Sequence, residues 1–439
     1  WARAFVYRLS RRLLVDAPGL NLYAAHQTYE WANPAPEKSL PYIVEATIKE
    51  LGRSKGRDPG SLPALGWPVT AACTSTGLPA NDRHPDKKGK TGSASRANRQ
   101  VVAKWWAARA DESRPHDDAT TRLRNLFPQV GRGKEFEWAD EFDELADLPE
   151  RDDSYIAVVH ADGNGMGRRI KQLTDDWARR PAEPRGYIKE MRALSTSVQA
   201  TAQTALRNTL TILLDHLTDH STLGPNRHPT KRSYKDGFVE KAQKLFPVRP
   251  VVFGGDDVTL VCAGPWGLAV AQSYLSELEK LQLTDDSNDK PYACAGVAIV
   301  KTHYPFSQAY DLSEKLTKGA KKRVACLAQK KASAIDWHLT STGLHGDLKT
   351  IRRREYAVEQ GDLTMRPLVL SQAMSWRNWD NLTGLLQVFG ENGSWRDKRN
   401  KTMRLREALR RGPTAGKGVL GAFEGGEEGN TPSARFGAP

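Results

Sequence analysis

Two acidic elements in this 439-residue sequence have the residue types and setting for metal-assisted phosphate chemistry. One is Asp162, which follows the apolar run Tyr155–His160 and precedes Gly163, Asn164, Gly165 and Gly167. The other is Gly254-Gly255-Asp256-Asp257, the tip of a hairpin between Val248–Phe253 and Val258–Cys262. Nucleotidyl transfer uses two divalent ions roughly 3.5 to 4 Å apart, one activating the attacking hydroxyl and one holding the leaving pyrophosphate. Asp162, Asp256 and Asp257 are the catalytic and metal-ligating candidates, with the Gly163 carbonyl as a fourth oxygen. Magnesium or manganese is the implied metal.

Glycines at 254 and 255 let a hairpin turn tightly and leave no Cβ where a triphosphate must approach the backbone. Gly163, Asn164, Gly165 and Gly167 open a helix, whose N-terminal N–H groups favour an anion. An ordinary type I′ hairpin would also use a Gly-Asp tip. Lys315, Lys318 and Lys322 are spaced for one helix face with Lys321 beside them, and any of these could reach back to the β- and γ-phosphates; Lys318 and Lys321 are taken as nucleotide-binding candidates. Ser195 is a candidate for a base edge, with a back-bond inside its own helix as the plainer reading. His216 and His220 stand four apart but lack the glutamate and third ligand of a zinc site. There is no Gly-x-x-x-x-Gly-Lys-Ser/Thr loop.

These residues need elements to hold them. The pattern from Tyr155 reads strand, turn, long helix (Ile188–His220), a polar insertion (Ser221–Lys244), the hairpin, a helix (Trp266–Leu283), a strand (Ala293–Lys301) and a helix (Ser307–Gln329). The order β-α-β-β-α-β-α predicts an α/β (α+β) fold with a ferredoxin-like, nucleotide cyclase-like palm, its helices on one face of the sheet. Upstream, 1–80 reads as a partial α/β unit: a helix at Val6–Val15, strands at Leu20–Ala25 and Trp67–Cys73, and a helix at Leu40–Leu51. Residues 81–150 read as a mobile loop or partner-contacting insertion (Asn81–Asn98) and an acidic linker, with a boundary near Arg151. The palm occupies 151–345, a basic helical domain 346–411, and an aperiodic Gly-rich tail 412–439, read as disordered or as a poorly packed end.

The formal charge of +13, from 65 Lys plus Arg against 52 Asp plus Glu, favours polyanionic partners. No run approaches the roughly 18 apolar residues of a membrane helix. Residue 1 is Trp, and no signal-peptide core follows it, so the sequence can begin inside a longer chain. Cys73, Cys262, Cys294 and Cys326 are scattered, and no Cys-x-x-Cys pair exists; buried thiols in a reducing cytoplasm are expected.

The chain resembles the palm-domain large subunit of type III CRISPR effector complexes, the CRISPR polymerases that make cyclic oligoadenylates from ATP. The likeness rests on Tyr155-Ile-Ala-Val-Val-His-Ala-Asp-Gly-Asn-Gly-Met-Gly167, on Val252-Phe-Gly-Gly-Asp-Asp-Val258, and on Ala295-Gly-Val-Ala-Ile-Val300 with His303-Tyr-Pro-Phe306. It implies a second, catalytic palm, a degenerate first palm within 1–80 and a C-terminal helical domain. It further implies ATP as substrate, an RNA or ribonucleoprotein activator and a cytoplasmic setting. Asn164 stands where the family often has a second acid. Cys73-Thr-Ser-Thr-Gly77 lacks the second cysteine of a zinc element, so zinc is not expected.

Overall fold

The computed structural model describes residues 38–57, 119–131, 155–218, 244–284, 289–328, 330–340, 347–359, 361–370, 376–390 and 395–424, with shorter stretches between them. In chain order the elements are α1 (Leu40–Arg57), β1 (Asp82–Lys88), β2 (Ala94–Ala97), α2 (Ala119–Leu126), β3 (Phe136–Trp138), β4 (Tyr155–Gly163), α3 (Met166–Ala178) and α4 (Pro184–Thr218). There follow β5 (Lys244–Phe246), β6 (Val248–Gly254), β7 (Asp257–Ala263), α5 (Gly267–Glu279), β8 (Ala293–Lys301), α6 (Phe306–Ala325), β9 (Ala334–Leu339) and α7 (Leu348–Tyr356). The last are β10 (Ala357–Val358), β11 (Gly361–Asp362), β12 (Leu368–Val369), α8 (Trp379–Phe389), α9 (Arg399–Arg411) and α10 (Pro413–Glu424).

The chain divides into two compact units, one of residues 1–125 with 167–192, the other of 126–166 with 193–439. In the first, β1 and β2 pair antiparallel where Asn81–Asn98 is expected to be a mobile loop. A two-stranded ladder is closed by backbone hydrogen bonds, so it leaves little side-chain periodicity to read. Of the strand expected at Leu20–Ala25, the described part, Tyr23–Ala25, has no regular structure. The helix expected at Val6–Val15, the strand at Trp67–Cys73 and the insertion Ser221–Lys244 fall almost wholly outside the described residues.

The second unit is built on a six-stranded sheet in the order β12-β9-β8-β4-β7-β6, antiparallel except for the β8/β9 pair. Its central strands read as unbroken apolar runs because both faces are covered. Ile156 and Val158 of β4 join Val261, Ala298, Val300 and the α6 residues Ala309, Leu312 and Leu316 in one core. The alternate residues point the other way, where Gly267 of α5 lies against Ala157 and Val297. On that side α4 grips α5 through Asn208 Nδ2 donating to Glu277 Oε2 at 3.2 Å. The helices thus lie on both faces of the sheet, which corrects the one-faced expectation. Apolar positions on alternate sides of β4 and β8 each require a cover.

Three further departures have local causes. Ala139, Leu145 and Ala146 belong to the core under α6, so the expected acidic linker is part of the second unit. Glu135, Glu141 and Asp143 are exposed, while Leu145 and Ala146 are buried and anchor the segment. Residues 413–424, expected in an aperiodic tail, form α10, whose Gly416 abuts Leu409 of α9. Pro413 suits the first helical position, and Val419 and Leu420 are half-buried despite the glycines around them. Strand β9 has no counterpart among the expected strands, because Asp336 and His338 disguise it.

Helix α6 presses on the sheet at Gly296 of β8. A Cβ there would lie 2.0 Å from the Ser313 carbonyl oxygen and 2.5 Å from the Thr317 nitrogen. Backbone cannot rotate aside as a side chain can. Gly296→Ala is therefore expected to cost about 3 kcal/mol, the upper end for overpacking, read from denaturant unfolding midpoints. A loss below about 1 kcal/mol would mean that α6 can back away from the sheet.

Candidate functional site

The motifs meet at one end of the sheet, within the second unit. β4 and β7 run antiparallel in a register that sets Asp162 directly opposite Asp257, with Cys294 of β8 on the other side of Asp162. β6 returns from the same tip, Gly254 pairing with Asp257, so Gly255 and Asp256 form a two-residue loop. Gly255 has φ +68° and Asp256 does not have a positive φ, which is the pattern of a type II′ turn rather than type I′. The loop folds back over β4. A Cβ on Gly163 would lie 2.8 Å from Asp256 Cβ and 3.0 Å from its Oδ2, so glycine at 163 makes room for that carboxylate.

Lys321 rises to this tip from α6. Its Nζ forms an ion pair with Asp162 and donates to the Gly163 carbonyl at 2.9 Å. Lys318, one turn earlier, pairs instead with Glu314 of its own helix at 3.0 Å, with both side chains largely in water. Ser195 is exposed on α4, the helix on the opposite sheet face, and makes no hydrogen bond to the carboxylates or Lys321. Asn164 is turned inward, its Nδ2 donating to the Ala332 carbonyl at 2.9 Å and lying 3.4 Å from Cys294 Sγ. In this position it straps the motif to the segment before β9. Gly165, with φ +78°, and Gly167 lead into α3, and Gly254 ends β6.

Sequence reasoning missed the support beneath the carboxylates. His160, two residues before Asp162 on the same face of β4, is buried with Nδ1 3.1 Å from Thr259 Oγ1, and Tyr310 meets its ring edge-on at 5.4 Å. Thr317 Oγ1 donates to the His160 carbonyl at 2.9 Å. Tyr310, Thr317 and Lys321 stand at spacings of seven and four on α6, one helical stripe under the site. That spacing is legible in the sequence once the helix is known to cross β4.

The carboxylates strain one another electrostatically. Asp257 is exposed as a residue, yet partial burial of its carboxyl raises its pKa to about 6. The charges of Asp162 and Asp256 add to the rise, and Lys321 only partly offsets it. Burial pushes the Cys294 thiol up to about 11, so it stays protonated and unreactive.

Among the described residues no three acidic, His or Cys side chains close around an ion by themselves. The donor set nevertheless fits magnesium or manganese, which bind through one or two carboxylates and keep water and phosphate oxygens for the rest. Asp162, Asp256, Asp257 and the Gly163 carbonyl are hard oxygens at one tip, and the space a Cβ would fill at 163 is taken by a carboxylate.

That fit has a pH signature. The folded-state pKa of Asp257 lies above the unfolded 3.8, so without metal folding favours the protonated form and that contribution is lost as pH rises from about 4 to 6. A cation favours the ionised form. The gain in Tm on adding manganese is therefore expected to grow between pH 5 and pH 7 in thermal unfolding. A pH-independent gain would remove Asp257 from the ligand set.

Residues 155–328 match the family model for Cas10/Cmr2, second palm domain. Comparison with curated proteins finds no match. Among solved structures, Csm1 of T. onnurineus aligns at 12% identity over 89% of this chain and 48% of its own, with a TM-score of 0.35. A Csm1–Csm4 cassette in complex with cA4 aligns at 11% identity over 60% of this chain and 30% of that one, with a TM-score of 0.29. The active GGEEF domain of a diguanylate cyclase from Vibrio cholerae aligns at 12% identity over 43% and 85%, with a TM-score of 0.21. The chain spans less than half the length of these two Csm1 structures. No helix among the described residues is long and apolar enough to cross a membrane.

Proposed function

We propose that this chain is a metal-dependent nucleotidyltransferase that joins ATP into cyclic or short oligoadenylates with release of pyrophosphate, in antiviral defence of the type III CRISPR kind. One observation carries the reading: Asp162 faces Asp257 in register across β4 and β7, with Asp256 folded over Gly163 and Lys321 alongside. The match of residues 155–328 to the Cas10/Cmr2 second palm supports it.

Magnesium or manganese, held by the carboxylates and the Gly163 carbonyl, would neutralise phosphate charge and make the attacking hydroxyl more acidic. The protein supplies the rest. Asp257, which the cation keeps ionised, lies at the same tip and accepts the hydroxyl proton. The ribose oxygen bonds to the α-phosphorus, the bond from that phosphorus to its β-bridging oxygen breaks, and the electron pair leaves with pyrophosphate. Lys321 moves from Asp162 to the β- and γ-phosphates, where its point charge meets the leaving group. Gly254 and Gly255 let the triphosphate lie against the hairpin backbone.

Adenine selection and activation by an RNA or ribonucleoprotein in the cytoplasm belong to the same proposal. The test is incubation with each nucleoside triphosphate and magnesium or manganese, with and without RNA, followed by pyrophosphate and product analysis. Absence of pyrophosphate under every condition would sink the reading. A catalytically silent ATP-binding scaffold is the second reading, favoured by the Lys321 ammonium already neutralising Asp162. It predicts ATP binding unchanged in Asp256→Asn and no product from the unsubstituted chain.

A further inference from the structure

The exposed helices treat their cations in two ways. On α1, Lys49 pairs with Glu45 and Arg53 with Glu50; on α3, Lys171 pairs with Asp175, and Arg179 just past its end pairs with Asp176. Such pairs one turn apart leave a helix face with little net charge. Helices α7 and α9 of the second unit are different. Along α9 stand Arg399, Arg406, Arg410 and Arg411, and on α7 Arg353 and Arg354 follow Arg352, which Asp336 already holds.

The arginines are arranged as a ridge. Leu405 and Ala408 turn inward, which puts Arg399, Met403, Arg406 and Arg410 on the outer side of α9, all of them exposed. With a rise of 1.5 Å per residue, Arg399 and Arg406 are about 10 Å apart and Arg406 and Arg410 about 6 Å. Arg410 donates to the Glu355 carbonyl at 3.0 Å, which sets this stripe against the end of α7 where Arg353 and Arg354 are exposed. Among the described residues, Arg353, Arg354, Arg399, Arg406 and Arg411 form no ion pair.

A structural explanation covers part of this. Cations in the last turn complement the helix dipole, which accounts for Arg353, Arg354 and Arg411. It does not account for Arg399, which begins α9 where a cation is unfavourable, or for Arg406 in its middle. Uncompensated like charges this close repel, a cost that a bound polyanion would relieve. Arginine rather than lysine at these positions suits planar, two-point contacts to phosphate oxygens.

We propose that the α7–α9 ridge binds the sugar–phosphate backbone of a nucleic acid strand. This does not depend on the catalytic reading, since none of these residues belongs to the Asp162 site. Backbone contact of this kind gives affinity and steep salt dependence with little sequence preference.

The test uses the full chain and a labelled single-stranded 30-mer, as RNA and as DNA of the same sequence, in anisotropy titrations over a salt series. Arg399→Gln with Arg406→Gln, and Arg353→Gln with Arg354→Gln, are each expected to weaken binding about 10-fold near 0.1 M salt. Together they flatten the log–log salt slope by about 0.7 for each phosphate no longer neutralised. The same positions as lysine retain most of the slope. Stronger binding of RNA than of DNA identifies 2′-hydroxyl contacts on the ridge, and equal binding identifies the phosphates alone.

Unchanged affinity and slope in the fourfold glutamine variant overturn the proposal. So does displacement of the RNA by polyglutamate as readily as by unlabelled RNA at equal charge, which would make the ridge a site for an acidic protein. Should the fourfold variant misfold, ultraviolet crosslinking of RNA to the unsubstituted chain decides the matter. Adducts within 349–354 or 399–411 support the ridge, and adducts only elsewhere refute it.

Discussion

Asp256→Asn is expected to lower pyrophosphate release from ATP by about 100- to 1,000-fold, the loss typical when one preorganised electrostatic group is removed from a reacting centre. The substitution keeps the shape that fills the space over Gly163 and removes only charge. It also relieves part of the repulsion that raises the Asp257 pKa, so Tm at pH 7 is expected to hold or rise. Loss of rate without loss of stability separates a catalytic role from a structural one. Gly163→Ala is the geometric counterpart, because its Cβ would come within 2.8 Å of Asp256 Cβ and push the loop off β4 without changing any charge. Initial rates for the two variants, measured beside their unfolding curves, give the comparison. A rate within about tenfold of the unsubstituted chain for both would leave the carboxylate tip without a catalytic role.

Asp336→Ala is expected to destabilise the second unit by about 3–5 kcal/mol, the cost of leaving a buried charge without its partner. Asp336 is 1% exposed on β9, and both of its oxygens accept from Arg352, Nη1 at 2.8 Å and Nη2 at 2.9 Å. Nη2 of Arg352 also donates to the Trp337 carbonyl at 2.8 Å, so the guanidinium ties α7 to the strand. Without Asp336 the arginine keeps its half-buried position and loses its counter-charge. Arg352→Met combined with Asp336→Leu is expected to recover most of the loss, since replacing both members removes the desolvation cost with the pair. Chemical unfolding of the single and double variants is the measurement. A single-variant loss below about 1 kcal/mol would mean that water reaches the pair and screens it.

That ion pair also explains what could not be read from the chain. The stretch Ala334–Leu339 looks unlike a buried strand because it carries Asp336, and the residue that makes the aspartate tolerable lies 16 positions later on another element. By contrast Ala293–Lys301 is an apolar run whose boundaries are legible to the residue. The hairpin from Val248 to Ala263 is legible to within one residue at each strand end, because its glycines name the turn and apolar residues flank it. Its type is II′ rather than I′, since only Gly255 has a positive φ. The ridge on α9 is visible in the sequence only as a run of basic residues. The inward turn of Leu405 and Ala408 makes it a stripe, and the bond from Arg410 to Glu355 joins it to α7.

The candidate site divides in the same way. Residue types and short spacings by themselves determined the acidic hairpin, the Asp-Gly element after a strand, and a lysine-bearing helix downstream, because turn chemistry and apolar periodicity act over a few residues. Only the tertiary structure decided that Asp162 stands opposite Asp257, because strand register is set by two covered faces of a sheet and one residue of slip would reverse it. It also decided that Lys321 rather than Lys318 reaches the carboxylates. Which of several neighbouring cations meets a charge depends on how the helix crosses the sheet, and the close approach of α6 at Gly296 sets that crossing.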